Sequence, residues 1–354
     1  MVLTVLALAA PLAGERARGG PPPSARAPVD SLSLEQQVGQ LLLLRFAGTT
    51  APPYVRAAVK NRRVAGVILF RSNVASPSQL RALTWKLRRQ GGRPIVAVDQ
   101  EGGAVRMLPW APPLASQPEQ AAAATAGLSA RQAGVALRAA GITVSLAPVS
   151  DVPSVPGAVL AGRSFSRDPG RASRATAAAV EGLRRGGVAS AAKHFPGLGA
   201  AAVNTDDARV TIRSSRAELE GTDLLPFRAA IRAGVPLVMV GHARYPALDR
   251  ARIASQSRRV LQDLLRDELG FRGVVVTDSI EAEASLATGG VTTASERAVR
   301  AGADLVLLTG QGSYPLVYRH LLAVARRSAS LRERIRESAA RVLALKQQGA
   351  RPPR

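Results

Sequence analysis

Reactive side chains recur in this sequence at one kind of place, the point where a short apolar run stops. The run 94–98 ends in Asp99-Gln100-Glu101, 142–146 leads through Ala147-Pro148-Val149 to Ser150-Asp151, and 190–192 ends in Lys193-His194. The run 237–240 ends in Gly241-His242, and 273–276 in Thr277-Asp278-Ser279. A carboxylate at a strand end can attack an electrophilic carbon or handle a proton, and Lys, His and Arg beside it can orient a polar ligand. Any one of these endings has an ordinary alternative. Asp278 could cap a helix, Asp99 could shape a turn, and Lys193-His194 could simply finish a strand. One pocket ringed by strand ends accounts for all five together, as in a parallel barrel whose working groups sit at the carboxyl ends of its strands.

The rest of the chain supplies the elements such a pocket needs. Helical patterns over 34–40, 55–62, 77–90, 128–140, 171–185, 215–233, 257–269, 293–301, 316–327 and 331–348 alternate with apolar strand-like runs. The runs 41–46, 66–70 and 304–308 bring the strand count to about eight. Repeated β-then-α units favour a (β/α)₈ TIM barrel over residues 31–348, because no Gly-x-Gly-x-x-Gly turn follows the first strand.

Composition narrows the function. The 354 residues are 46% hydrophobic, ample for a core, and include no cysteine, which excludes disulfides, thiolate metal sites and a cysteine nucleophile. The formal charge is +23, yet only Lys60, Lys86, Lys193 and Lys346 are lysine among the 48 basic residues. The 44 arginines are scattered, aromatics are 3%, and no basic run is interleaved with them, so nucleic acid is not the expected partner. No His/Asp/Glu cluster has metal-ligand spacing, and neither a metal nor an organic cofactor is implied. Residues 2–13 are apolar but too few to span a bilayer. They resemble the apolar and cleavage regions of an export signal without its charged start, and 14–30 reads as an Arg/Pro/Gly-rich linker. The expectation is an exported monomer, extracellular or in the cell envelope, with no integral membrane span and a short tail at 349–354; a cytoplasmic protein is the alternative.

The motifs also carry a family resemblance. Asp99-Gln100-Glu101-Gly102-Gly103, Leu146 through Val152, Gly162-Arg163-Ser164-Phe165-Ser166-Arg167-Asp168-Pro169, Lys193-His194-Phe195-Pro196-Gly197 and Glu268 through Asp278 resemble glycoside hydrolase family 3. The subgroup most similar is the bacterial single-domain β-N-acetylhexosaminidases. The resemblance implies a barrel that binds a terminal N-acetylhexosamine at its mouth, with Asp99, Arg163, Lys193 and His194 on the sugar hydroxyls and Asp278 as nucleophile. His242 fits the family's sixth strand end, either facing the site or as a structural hydrogen-bonding residue.

Two departures stand out. Where the resembled subgroup carries an Asp-Ser-His run whose His is the general acid/base, this chain reads Asn204-Thr205-Asp206, followed by Asp207. Retaining hydrolysis needs a group that protonates the leaving oxygen, and Asp206, aligned with the missing His, or its neighbour Asp207 could supply it if its pKa is raised. Both aspartates could equally cap a turn. After Asp99, Ala104 and Leu108 replace two customary arginines, for which Arg106 is a possible substitute. The expected function is therefore an exo-acting retaining glycosidase on peptidoglycan- or chitin-like fragments. The alternatives are a glycosidase for another terminal β-sugar and a sugar-binding barrel without turnover.

Overall fold

A computed structural model describes residues 29–348. The expected export segment, most of the linker and the tail at 349–354 fall outside these residues.

Eight parallel strands close into a barrel: β1 (Leu42–Arg45), β2 (Gly66–Ile68), β3 (Ile95–Val98), β6 (Val144–Ser145), β7 (Ala189–Phe195), β8 (Leu237–Val240), β9 (Val274–Ser279) and β10 (Leu305–Leu308). Sequential strands pair side by side, and β10 returns to β1 with Leu42 opposite Val306. This is a (β/α)₈ TIM barrel, and all eight expected strands are present. The strands are apolar nearly throughout because both faces are covered. Alternation then sorts their side chains: Leu237, Met239, Val274, Val276, Leu305 and Leu307 fill the barrel interior, while Val238, Val240, Val275, Val306 and Leu308 face the helix layer. Val342 and Leu345 of the last helix, Ala329–Gln348, join the interior cluster.

At the amino-terminal end of β10, Asp304 is completely buried and accepts from Arg266 at 2.6 Å, Arg334 at 2.5 Å, Arg341 at 3.1 Å and the Val275 amide at 3.0 Å. Burial opposes the Asp304 charge, but the three guanidinium groups overcome it and hold the carboxyl below its usual range. The network ties the last helix to the barrel floor.

Two features depart from the sequence reading. The expected helix over 215–233 is Arg216–Glu218, then a wide π stretch over Leu219–Asp223, then Leu224–Arg232; the helix before β9, Arg259–Glu268, is π throughout. An antiparallel hairpin, β4 (Gln100–Gly102) with β5 (Val105–Arg106), also follows β3. Gly102 and Gly103 make its turn possible with φ of 110° and 57°, and a Cβ on Gly102 would lie 2.2 Å from the Ala115 carbonyl oxygen.

Candidate functional site

A cavity of about 500 Å³ lies at the carboxyl ends of the strands, and Asp99, Arg163, Lys193, His194, Asp206 and Asp278 all line it. β3 and the hairpin supply Asp99 and Glu101, β7 supplies Lys193 and His194, and β9 supplies Asp278. Lys193, 2% exposed, donates from Nζ to Asp99 Oδ1 and contacts Glu101 Oε1, both at 2.6 Å. Arg163 forks onto Glu101, Nε to Oε2 at 2.9 Å and Nη2 to Oε1 at 2.7 Å. Burial works against Glu101, yet Lys193 and Arg163 overcome it and hold the carboxyl at about 2. Lys193 itself is pushed up despite burial by Asp99 and Glu101. The sugar-holding groups expected from the sequence thus form one charge-balanced chain, with Glu101 as the link that sequence reasoning passed over. Gln100 fixes the hairpin beneath it, bonding both to the Leu108 amide at 3.1 Å and to the Ala111 carbonyl at 3.0 Å. Arg106 does not replace the missing arginines in the pocket; it donates to the carbonyls of Gly103 and Pro109 and closes the hairpin.

His194 Nδ1 lies 2.7 Å from Asp151 Oδ2, which also accepts from the His194 amide at 3.1 Å, while Asp151 Oδ1 accepts from the Leu198 amide at 2.6 Å. A carboxylate at that position selects the tautomer that donates from Nδ1 and leaves Nε2 directed at Asp278 Oδ2, 4.0 Å away. Asp151, completely buried, is a second residue whose role the sequence did not reveal.

Asp278 is partly exposed to the cavity, and its Oδ1 accepts from the Ser279 amide at 2.8 Å. It ends a strand rather than capping a helix, since the next helical turn is Glu283–Leu286. Burial disfavours its charge, but His194, His242, the Ser279 amide and Lys193 outweigh that and hold the carboxyl below its ordinary value. Glu281 braces the turn behind it by accepting from the Thr309 amide at 2.9 Å.

Asp206 shows the opposite shift. Crowding by the surrounding protein and the negative charge of Asp278 push its carboxyl up, more than His242 and His194 pull it down, while its outer face meets solvent and tempers the effect. Its carboxylate accepts from Asn204 Nδ2 at 3.0 Å. The loop is fastened beside β9, because the Glu283 amide donates to the Asp206 carbonyl at 3.1 Å and the Ala284 amide to the Thr205 carbonyl at 3.2 Å. Asp207 does not line the cavity.

His242 is also outside the cavity lining. It is fully buried, with Nε2 donating to the Ser279 carbonyl and Nδ1 within 2.8 Å of Ser255 Oγ. Burial pushes its pKa down, and its contacts make it a prop under the turn after Asp278; of the two roles open to it from sequence the structural one fits these contacts.

Asp223 packs against Gly197, just after β7, with Oδ1 buried and unpartnered. Burial and the charge of Asp151 push its carboxyl up to about 7. An unfolded Asp titrates near 4, so folding takes up a proton between about pH 4 and 7. Stability associated with Asp223 is therefore present at the acid end of that window and lost as pH rises through it, an effect on the order of 4 kcal/mol. Asp223→Asn should remove this dependence: in denaturant melts at pH 5 and pH 8, the wild type should lose more stability than the variant. Equal losses would show that Asp223 does not hold a proton in the fold.

The sequence profile of the glycosyl hydrolase family 3 N-terminal domain matches residues 33–345. An uncharacterized secreted glycosyl hydrolase of Arthroderma benhamiae is 33% identical over 90% of this chain and 95% of its own length. A beta-hexosaminidase of Stenotrophomonas maltophilia is 38% identical over 76% of this chain and 83% of its own. A family 3 beta-N-acetylglucosaminidase structure from Paenibacillus superposes with a TM-score of 0.86 at 36% identity over 90% of this chain, which spans 63% of that longer protein. With a matching profile over nearly all the described residues, and the strand-end cluster at the barrel mouth, the chain belongs to glycosyl hydrolase family 3 and is a glycosyl hydrolase.

Proposed function

We propose that the chain is an exo-acting retaining β-N-acetylhexosaminidase on peptidoglycan- or chitin-like fragments. The reading rests on one observation: two carboxylates line the same cavity, Asp278 held below its ordinary value and Asp206 pushed above its own. Such a divided pair performs glycoside hydrolysis. Asp278 attacks the anomeric carbon while Asp206 gives its proton to the departing oxygen, so the glycosidic bond breaks as the glycosyl-enzyme ester forms. Asp206, now ionised, takes a proton from water as that water attacks the same carbon and Asp278 leaves. Asp99, Lys193 and Arg163 hold the hydroxyls of the terminal sugar, and His194 faces the nucleophile. The names of the bacterial and Paenibacillus relatives support the N-acetylhexosamine preference. The secreted relative supports export, and among the described residues no helix is long and apolar enough to cross a membrane.

Hydrolysis of a panel of nitrophenyl β-glycosides, alongside matched unactivated disaccharides, tests the reading. The N-acetylglucosaminide should give the highest kcat/KM. A glucoside or xyloside cleaved faster would reassign the sugar. No turnover of any substrate, with N-acetylglucosamine still raising the melting temperature, would replace the enzyme with a sugar-binding barrel.

A further inference from the structure

The opposite end of the barrel holds a second cavity, of about 430 Å³, where β3, β6 and β7 begin. Its charged lining consists of Arg88, Arg93, Arg138 and Lys346, with no Asp or Glu. Arg62 adjoins it, packing beside Gly92. Arg88 and Arg138 stand in the last turns of their helices, where a cation complements the helix dipole. That preference does not explain the arrangement. Arg185, Arg300 and Arg326 occupy equivalent last turns and are ion-paired with Glu181, Glu296 and Glu35. Among the described residues, Arg88, Arg93 and Arg138 have no such partner and converge from separate elements on one hollow. The Lys346 ammonium donates to Gln40 Oε1 at 2.6 Å, and burial together with Arg62 pushes it down to about 7. Arg62 and Arg93 are also the two non-glycine residues with positive φ among the described residues, 57° and 46°.

We infer that this basal cavity binds a small oxyanion carrying two or more negative charges, of the phosphate or sulfate class. Guanidinium forks match such oxyanions in geometry as well as charge. Occupancy relieves repulsion among clustered cations, and a ligand that binds only the folded chain stabilises it by mass action. The cavity shares no lining residue with the site at the mouth, so this binding is independent of the glycosidase reading.

Sulfate is the probe, because its charge is constant across the useful pH range. At low millimolar concentration it should raise the melting temperature of the full chain by about 2–4 °C over sodium chloride at equal ionic strength. The double variant Arg88→Ser/Arg138→Ser should lose this response while keeping its melting temperature in chloride and its rate of aryl glycoside hydrolysis. The single variant Arg138→Gln should weaken sulfate binding about tenfold by calorimetry. Around Lys346 stand Arg62, Gln40 and the three cavity arginines, and the lining holds no carboxylate or histidine. Wild-type affinity for sulfate should therefore rise as pH falls through that range, and Lys346→Met should abolish the rise. A wild type indifferent to sulfate, or variants that respond as the wild type does, would overturn the proposal.

Discussion

Asp278→Asn should lose about 10⁴-fold or more in kcat on every substrate, aryl or disaccharide, while melting within a few degrees of the wild type. The amide keeps the size of the side chain but cannot form the glycosyl ester, and it removes a charge that His194, His242 and Lys193 are arranged to favour. The uniform loss is the distinguishing result, because nucleophilic attack is needed whatever group leaves. Trapping adds a second readout: a slow-leaving fluorosugar should label the wild type by one glycosyl mass at the peptide containing Asp278. Residual activity within a factor of a few, or labelling of another carboxylate, would remove Asp278 from that role.

Asp206→Asn should separate substrates instead of silencing them all. A sugar alkoxide departs only with a proton, whereas nitrophenolate is stable as an anion, so the variant should lose about a hundredfold or more on disaccharides and much less in aryl glycoside bond cleavage. The pH profile carries the sign. Asp206 must be protonated in the first step, so wild-type activity should fall as pH rises through its raised pKa, and this alkaline limb should vanish in Asp206→Asn. The acid limb, set by ionisation of Asp278 below the usual carboxylate range, should remain. If Asp207→Asn gave this pattern and Asp206→Asn did not, the assignment would move by one residue.

The barrel was legible because five of its strands announced themselves twice, as an apolar run and as a polar break, and because all eight runs alternated with helical periods. The interior of the site was less so. Glu101 is held by Arg163 and Lys193, far along the chain, and nothing local distinguishes it from the motif's other polar residues. Asp151 was visible as a strand end, but its grip on His194 depends on β6 and β7 lying side by side. His242 stood at the right strand end and points elsewhere, because its partners lie on other elements, Ser279 at the end of β9 and Ser255 in a short 3₁₀ turn. Arg106 turned back to its own hairpin for the same reason: a two-residue strand leaves nearby carbonyls as the cheapest acceptors. Pattern places a residue at the mouth, but direction is settled by contacts made across the fold.

The fastening of the Thr205 and Asp206 carbonyls to the Glu283 and Ala284 amides bears on inhibitor selectivity. A bulky group attached to a sugar mimic can gain contacts at the entrance only by fitting a wall already anchored to the turn after Asp278. Pushing that wall aside would break two backbone hydrogen bonds and disturb the turn that carries Asp278. Ligands whose binding needs this loop to move should therefore lose affinity, whereas flat, rigid extensions should keep theirs.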